Sequence, residues 1–536
     1  MMTSVSRGKA RIVAASYLHP GVYVEEVASG SATLSAGATA VAAFVGFTEK
    51  GPGDDPADPM GLKPRLVTSW SQFEDLYGGL IPGAMLPHSV YGWFNNGGGV
   101  CYIVRVAHVE PAGEPSMKAL PANDRTLGQP VTIESVEPDA DVSVVITAEE
   151  SDDDDAPASF TVTVVADGAE AEAFANVTVV PGDRNIETVV NAESEKVRVA
   201  TLEAVDSNFD PAMTMLKPGT FPLEKAAPSP VEVKPKAFAG SENERTGING
   251  LVIADDVTMV MVPDLVTAAT MEDGTVDLGM WKKVQTALID HCEGAGNRMA
   301  VLDAPPGMSV QQIKEWRSDT AMYDSAFAAL YYPWIKVDNP VAVNGADSDL
   351  VMPPSGHVAG LWARVDNERG VHKAPANEVL RGVLDVEMPI TDKEQGLLNP
   401  DGINCIRTFG TRGIRVWGAR TLSSDTDWTY VPVRRLFNMI ETTISEGTQF
   451  AVFEPNDWRL WSRLTRTITS FLTGLWREGA LFGETADQAF FVKCDAENNP
   501  QDQIDRGMVV MEIGIAPVKP AEFVIFRISQ LQESGE

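Results

Sequence analysis

The chain has 536 residues, of which 44% are hydrophobic and 22% are charged, and its formal net charge at pH 7 is −33. Two or more domains are expected, because single hydrophobic cores stop growing beyond about 250–300 residues, and no apolar run approaches the roughly 20 residues that cross a bilayer. The negative charge opposes nonspecific binding to nucleic acid and to anionic membranes, since it repels phosphate groups.

The N-terminal region carries Arg7 and Lys9 but no apolar stretch of signal-peptide length, so we expect a protein made in the cytoplasm. Residues 21–27 predict a strand with no hairpin partner beside it. Its defining side chains are Val22, Tyr23, Val24 and Val27. An unpaired terminal strand is an open edge that can pair with another chain.

Apolar, β-branched runs alternate with helical segments on both sides of the middle of the chain, which is typical of α/β domains. Residues 40–46 and 100–106 predict strands before the middle region. After it, residues 251–263, 299–302 and 328–337 predict strands, and residues 280–294 and 309–320 predict helices. Ser309 is the expected N-cap of the second helix. The pattern predicts one α/β domain whose two parts pair across an insertion.

The region between these parts is strongly acidic. From residue 110 to residue 245 there are 27 Asp or Glu against 10 Lys or Arg, which accounts for about half of the net charge. Strand-like segments at 159–165 and 176–180 and proline clusters near 211–235 predict a β-rich insertion. Its run of aspartates at 152–155 is read as a solvated surface, with a dedicated cation site as the less favoured alternative.

A long amphipathic helix is predicted after Pro455, with Asn456 as its N-cap and its end near Gly479. Its apolar face comprises Leu460, Leu464, Ile468, Phe471, Leu472 and Leu475. Its opposite face carries the arginine stripe, defined as Arg459, Arg463, Arg466 and Arg477. On so acidic a chain this stripe is a candidate docking surface, and a solvated face with weak ion pairs is the alternative.

The chain ends with a second partnerless strand at residues 522–528. Its defining side chains are Phe523, Ile525, Phe526 and Ile528. We predict that both terminal strands pair with other copies of the chain, with ordinary intramolecular edge strands as the alternative.

An α/β enzyme is the competing class, and the motifs that such chemistry needs are missing from the sequence. There is no phosphate-binding GxxxxGK[ST] loop, no HExxH pair and no GxSxG elbow. His291 beside Cys292 cannot easily form a thiolate pair, because adjacent helix positions point about 100° apart. Asp255, Asp256 and Asp264 near strand ends are a weak signal for a metal. We therefore expect no catalytic residue, no cofactor and no metal, and the four scattered cysteines make no CxxC pair.

The run Pro20-Gly21-Val22-Tyr23-Val24-Glu25-Glu26 resembles the opening of contractile tail sheath proteins, and later motifs follow the same family in order. These are Pro353-Pro354-Ser355-Gly356, Arg369-Gly370-Val371, Lys373-Ala374-Pro375-Ala376-Asn377, Leu398-Asn399-Pro400-Asp401-Gly402, Gly413-Ile414-Arg415-Val416-Trp417-Gly418, Val431-Pro432-Val433-Arg434-Arg435 and Phe453-Glu454-Pro455-Asn456. The resemblance covers roughly residues 17–110 and 248–530.

This resemblance implies a mixed α/β fold with exchanged terminal β-strand arms and a β-rich inserted domain. The expected segments are an N-terminal arm (1–30), the first part of the core (31–109), an outward-facing acidic insertion (110–247), the second part of the core (248–390), a C-terminal domain facing a tube (391–518) and a C-terminal arm (519–536).

The resemblance further implies a structural subunit that forms stacked hexameric rings around an inner tube and contracts to drive the tube through a target envelope. The implied partners are other copies of the chain, the inner tube protein, and baseplate and terminator or cap proteins, without nucleic acid or direct membrane insertion. Such a subunit assembles in the bacterial cytoplasm as part of a virion tail or a phage-tail-like particle. The sequence leaves open which of the two particles it serves, and whether the insertion is an outer binding module.

Overall fold

A computed structural model of the chain describes residues 39–53, 58, 60–108, 116–119, 131–136, 142–149, 157–166, 169–201, 216–223, 233–271, 273–341 and 349–525. The predicted arm residues Val22, Tyr23, Val24, Val27, Phe526 and Ile528 lie outside the described residues.

The strands are β1 (Val41–Thr48), β2 (Arg65–Val67), β3 (Val100–His108), β4 (Ser116–Ala119), β5 (Val131–Ser135), β6 (Val142–Ala148), β7 (Ser159–Ala166), β8 (Ala169–Thr178), β9 (Val197–Thr201), β10 (Gly219–Pro222), β11 (Met259–Met261), β12 (Met299–Asp303), β13 (Ala328–Tyr332), β14 (Ile335–Asp338), β15 (Asp349–Met352), β16 (Glu378–Val379), β17 (Val383–Val386), β18 (Ile403–Thr408), β19 (Ile414–Val416), β20 (Phe490–Lys493) and β21 (Glu512–Ile515).

The α-helices are α1 (Trp70–Tyr77), α2 (Leu86–Asn96), α3 (Ile186–Glu193), α4 (Pro235–Ala239), α5 (Gly247–Gly250), α6 (Leu265–Ala269), α7 (Leu278–Ala295), α8 (Val310–Glu315), α9 (Ser355–Arg369), α10 (Asp392–Leu398), α11 (Val431–Gly447), α12 (Trp458–Arg477), α13 (Ala486–Ala489) and α14 (Gln501–Asp505).

A nine-stranded sheet of order β16-β19-β18-β13-β12-β11-β1-β3-β2 forms the core, and its central strands are parallel. Strand β1 is apolar along its whole length, because parallel strands are buried on both faces. Its residues alternate between two clusters: Val45 packs on the side of α7 and α8, and Phe44 packs on the side of α2 and α9. The result is a helix–sheet–helix sandwich, which confirms the predicted mixed α/β fold class.

Strand β1 pairs on one side with β3 and on the other with β11, so two strands that are separated by about 150 residues of sequence flank the same strand. The β-rich unit between them has two antiparallel sheets, β10-β6-β7-β8 and β4-β5-β9. Alternate residues of β6 and β7, such as Val144 and Val162, are buried in a separate hydrophobic cluster. The predicted β-rich inserted domain is therefore confirmed as a feature of the fold.

The last part of the described chain is built around α11 and α12. The apolar faces of these helices meet in a further cluster that includes Leu436, Ile440, Ile468 and Leu472, and the β20-β21 hairpin packs against it through Phe490. Helix α12 comes just before this hairpin in the chain and contacts it directly.

Two predicted strands were wrong in detail. Residues 328–337 form two strands, β13 and β14, which belong to different sheets, because Pro333 between them lacks the N–H that would continue the ladder. Residues 251–263 form a strand only at Met259–Met261, after a 3₁₀ turn at Leu251–Ile253. The expected cap at Ser309 is confirmed, with a reciprocal hydrogen-bond pattern to Gln312.

Candidate functional site

The C-terminal segment is tied to the body of the protein at Glu522. The Glu522 carboxylate accepts hydrogen bonds from Nε of Arg420 at 3.0 Å and from its Nη2, and a third from the hydroxyl of Tyr430 at 3.4 Å. The Arg420 guanidinium also donates to the carbonyl of Asn399. The hydrogen bonds that Arg420 donates to Glu522 raise the pKa of Arg420, so its guanidinium stays positively charged at all physiological pH values.

The three described residues that follow Glu522 are apolar and exposed. Phe523, Val524 and Ile525 are 73%, 69% and 77% exposed, and they form no strand and no backbone hydrogen bond with another described residue. Of the predicted C-terminal arm side chains, the structure therefore places Phe523 and Ile525 in solvent. Three large apolar side chains in succession are costly to leave in water.

The other end of the described chain begins at Thr39, just before β1. Its carbonyl oxygen accepts hydrogen bonds from the hydroxyl of Thr258 at 2.9 Å and from Nη2 of Arg435 at 3.0 Å. Arg435 is itself buried, donates two hydrogen bonds to Asp366 and lies over the ring of Trp362. Thr39 is therefore held in place, as Glu522 is, and these two residues are named the N-terminal root and the C-terminal root.

The β20-β21 hairpin has open edges. In the part of the chain that the structure describes, each of its strands pairs only with the other. Phe491 on β20 is 51% exposed. Two-stranded sheets are marginally stable alone, and an unpaired edge can accept a further strand.

Helix α12 separates an apolar face from a cationic one, as predicted. All six predicted apolar residues are buried, and the four arginines of the stripe are exposed. None of these arginines forms an ion pair with another residue that the structure describes. Arg463 lies over the ring of Phe450 at 4.1 Å, and Arg459 lies over Trp458 at 5.4 Å.

The predicted N-cap of this helix was wrong by one residue. Asp457 caps α12 through its side chain, which accepts from the N–H groups of Arg459 and Leu460. Asn456 instead accepts a hydrogen bond from the indole of Trp461 and donates to the carbonyl of Met508. Tertiary contacts therefore decide which of these two adjacent residues forms the N-cap of the helix.

Two exposed aromatic residues beside this helix were not predicted. Phe453 is 87% exposed and has φ of 66°, a left-handed conformation that is unfavourable for a bulky side chain. Trp458, in the first turn of α12, is 65% exposed. Phe453 belongs to the motif Phe453-Glu454-Pro455-Asn456, but no local sequence pattern indicates its exposure or its backbone conformation.

The carboxylates near strand ends have structural partners. Asp264, which follows β11, is fully buried and accepts hydrogen bonds from the backbone N–H groups of Phe47, Met85 and Leu86. Burial raises the pKa of Asp264 to about 7. In doubly wound sheets this edge, at a helix N-terminus, is where phosphate groups bind. Here a carboxylate of the chain itself takes that position.

The remaining enzyme candidates do not assemble into a site within the described residues. Asp255 and Asp256 are exposed, and no group of three or more His, Cys, Asp or Glu side chains there is arranged to hold a metal. Burial raises the pKa of Cys292 to about 12, and burial together with Arg298 lowers the pKa of His291 to about 4, which is the opposite of an activated thiolate pair. No helix of the described chain has the length and apolarity to span a bilayer.

Comparison with known families gives two consecutive matches. Residues 263–422 match the phage tail sheath protein central domain, and residues 423–530 match the phage tail sheath C-terminal domain; together they make up half of the chain.

Individual relatives agree. The tail sheath protein of Vibrio phage KVP40 is 25% identical over 310 residues, which are 54% of this chain and 45% of that protein. The chain spans about half the length of the curated relatives it matches. A cryo-EM structure of the anti-feeding prophage helical sheath in the contracted state is 26% identical, with a TM-score of 0.56 over 96% of this chain and 100% of that one. A subunit from the six-fold symmetrised baseplate of the same particle has the same identity, TM-score and coverage.

The matched proteins are structural sheath proteins, so the prediction of a structural protein and not an enzyme is confirmed. The chain belongs to the phage tail sheath protein family.

Proposed function

We propose that this chain is the subunit of a contractile sheath, which polymerises as stacked hexameric rings around an inner tube and contracts to drive the tube through a target envelope. The observation that carries this proposal is the C-terminal segment. Its root is held by an ion pair at Glu522, and the next three side chains are apolar and exposed. A segment anchored in this way is suited to bind a neighbouring subunit.

The acceptor for such an arm is the open β20-β21 hairpin. Adding arms from other copies would extend a marginal two-stranded sheet and cover Phe491. At a net ~0.5–1.5 kcal/mol per backbone hydrogen bond, a strand making roughly five bonds contributes on the order of 2.5–7 kcal/mol before ordering costs. Arms of this strength, repeated over many subunits, would let a lattice change its angles without dissociating. The N-terminal strand at residues 21–27, with Val22, Tyr23, Val24 and Val27, is proposed as the second arm, and Phe526 and Ile528 extend the first.

The arginine stripe of α12 is proposed as the surface that faces the inner tube. Support comes from its exposure and from the absence of ion pairs with other described residues, on a chain whose net charge is −33. Exposed charges that form no ion pair among the described residues are available to an acidic partner and guide its approach.

Contraction in this proposal needs no nucleotide. The extended lattice is metastable and is held by baseplate and tube contacts, whereas the contracted lattice buries more surface between subunits. Support comes from Asp264, whose carboxylate occupies the helix N-terminus at the edge of the sheet where a nucleotide phosphate would bind. The related helical sheath was solved in a contracted state.

The six segments named above describe how the subunit would sit in this lattice, with the C-terminal domain (391–518) towards the tube and the acidic insertion (110–247) outward. The particle is a phage tail or a phage-tail-like device assembled in the bacterial cytoplasm.

The test is electron microscopy of the purified full chain without nucleotide, where hollow, helically striated cylinders are expected. A deletion of residues 1–27 and the double substitution Phe523→Ser/Ile525→Ser should each leave a folded monomer, measured by circular dichroism and gel filtration, that no longer forms cylinders. Met271→Ser is the matched control, because Met271 is an exposed apolar side chain of the core domain. Normal cylinders from both arm variants, or a uniform globule from the unaltered chain, would overturn the proposal.

A further inference from the structure

The roots of the two terminal segments are held by the same piece of the chain. Arg420 binds Glu522 at the C-terminal root, and Arg435 binds the carbonyl of Thr39 at the N-terminal root. These arginines are 15 positions apart, whereas the residues they hold are separated by almost the whole described chain. One short segment therefore contacts both the N-terminal root and the C-terminal root.

Hydrogen bonds within that segment hold its parts together. Its first part is a small hairpin, in which Thr421 N–H donates to the carbonyl of Thr429 and Val431 N–H donates to the carbonyl of Ala419. The hairpin runs directly into α11, which carries Arg435 in its second turn. Residues 419–447 are named here the arm coupler.

Both ends of the arm coupler contribute more than one contact. At the C-terminal root, Tyr430 is the residue before α11 and also donates to Glu522, so the hairpin holds this carboxylate from both of its strands. At the N-terminal root, the buried Arg435 is oriented by Asp366 and Trp362 of α9.

We propose that Arg420 and Arg435 are positioning residues, which fix the exit directions of the two arms relative to each other so that both arms turn with the arm coupler as one body. This inference rests on the proposed exchange of arms between subunits. In a lattice that twists as it shortens, independent arms would allow neighbours to settle at varying angles. Arms held by one rigid unit transmit a single angle from subunit to subunit.

The test uses the full chain with Arg420→Gln, Arg420→Lys, Arg435→Lys and the double variant Arg420→Gln/Arg435→Lys. The measurements are thermal unfolding of the monomer, the concentration needed for cylinders to form, and the spread of helical twist along cylinders by cryo-EM. Arg420→Gln should raise that concentration by about tenfold, because a two-bond charged contact is lost, and it should broaden the twist. Arg420→Lys, which keeps the charge but not the fork, should restore part of both.

The decisive result is the double variant. Arg435→Lys keeps a charge for Asp366 but loses the fork that also reaches the carbonyl of Thr39, so it should broaden the twist as Arg420→Gln does. Because releasing one root already uncouples the arms, the double variant should have a twist spread no greater than that of the more severe single variant. The proposal would be overturned if the twist spread of the double variant increased by the sum of the two single increases. An unchanged twist in every variant would overturn it as well.

Two controls distinguish this inference from a general loss of stability and from the proposed exchange of arms. Arg407→Gln removes a mostly buried arginine that pairs with Asp392 outside the arm coupler, and it should leave the twist unchanged even if it lowers thermal stability. Deletion of residues 523–536 tests the arms themselves. If that deletion stops assembly while the Arg420 and Arg435 variants assemble with normal twist, arm exchange survives and the coupler fails. If neither this deletion nor the deletion of residues 1–27 affects assembly, the proposed function fails.

Discussion

The carboxylate of Asp264 accepts a hydrogen bond from the backbone N–H of Phe47 at 2.6 Å, across 217 positions of sequence. Phe47 lies near the end of β1, before the insertion, and Asp264 follows β11, after it. The same carboxylate also binds N–H groups at the start of α2. One buried side chain therefore joins the two parts of the core.

Replacing Asp264 should destabilise this junction. Asp264→Ala leaves three buried backbone donors unpaired, and the free energy of unfolding should fall by about 3 kcal/mol or more. Asp264→Asn keeps one acceptor oxygen and should lose less. Denaturant unfolding of the purified monomer measures both; an Ala variant as stable as the unaltered chain would contradict the junction.

The pH dependence of these variants has a defined sign. The pKa of Asp264 is raised from 3.8 to about 7, so the folded state holds a proton that the unfolded state releases. This stabilisation is complete below pH 3.8 and is lost as the pH rises through about 7. Unfolding titrations should therefore show a smaller loss of stability between pH 4 and 7 for Asp264→Asn than for the unaltered chain.

His357 on α9 should give the free energy of unfolding a pH dependence of the opposite sign. Burial and the neighbouring His88 on α2 lower the pKa of His357 to about 4, so its contribution is present above pH 6.5 and is lost as the pH falls towards 4. At about 1.36 kcal/mol per pKa unit, the loss is on the order of 3 kcal/mol. His357→Gln should flatten this acid-side loss in the same titration, and an unchanged acid-side slope would show that another group is responsible.

Arg434 should be far more sensitive to substitution than the arginines of the stripe. It is 1% exposed, its guanidinium lies 4.3 Å from the ring centroid of Trp428 and 4.7 Å from that of Phe327, and it donates to Asn438. Arg434→Lys loses the planar stacking and should cost about 1–3 kcal/mol. Arg466→Lys, at an exposed arginine of the stripe, is the control and should change stability by no more than about 0.5 kcal/mol. Equal effects in thermal unfolding would contradict the difference in burial.

The backbone conformation of Phe453 leads us to expect that replacing this residue by glycine does not destabilise the monomer. Its φ of 66° is unfavourable for a side chain with a Cβ, and the ring is exposed. Phe453→Gly should leave the free energy of unfolding unchanged or raise it by up to about 1 kcal/mol. Phe482→Gly, at an exposed phenylalanine without a positive φ, should instead lower it. Thermal unfolding of the two variants makes the comparison, and the reverse order would refute the strain at Phe453.

Charge reversal in the arginine stripe should impair docking to the tube protein without impairing folding. Arg463→Glu/Arg466→Glu should change monomer stability by no more than about 1 kcal/mol, because both side chains are exposed and the contact of Arg463 with the ring of Phe450 is a surface one. Assembly around an acidic tube protein should be lost, while assembly of the sheath alone should persist. Co-sedimentation with tube protein measures this; unchanged co-sedimentation removes the docking role.

Local patterns in the sequence predicted much of the fold. The apolar face of α12 was identified correctly because helical periodicity places Leu460, Leu464 and Ile468 on one side whatever surrounds them. The N-cap was missed because Asn456 and Asp457 are equally good capping residues, and the choice depends on Trp461 and Met508. Pro333 lies between β13 and β14, and its presence in the sequence could have predicted the break between these two strands.

By itself, the amino-acid sequence determined the alternation of strands and helices, the separate acidic unit and the motifs of the family, because these depend on residues close together along the chain. Only the tertiary structure decided that Asp264 joins the two parts of the core and that Arg420 and Arg435 hold both terminal roots. Glu522 lies 102 positions from Arg420, and Thr39 lies 396 positions from Arg435. Such contacts form only when the sheet and α11 bring distant segments together, and no local pattern of side chains encodes that meeting.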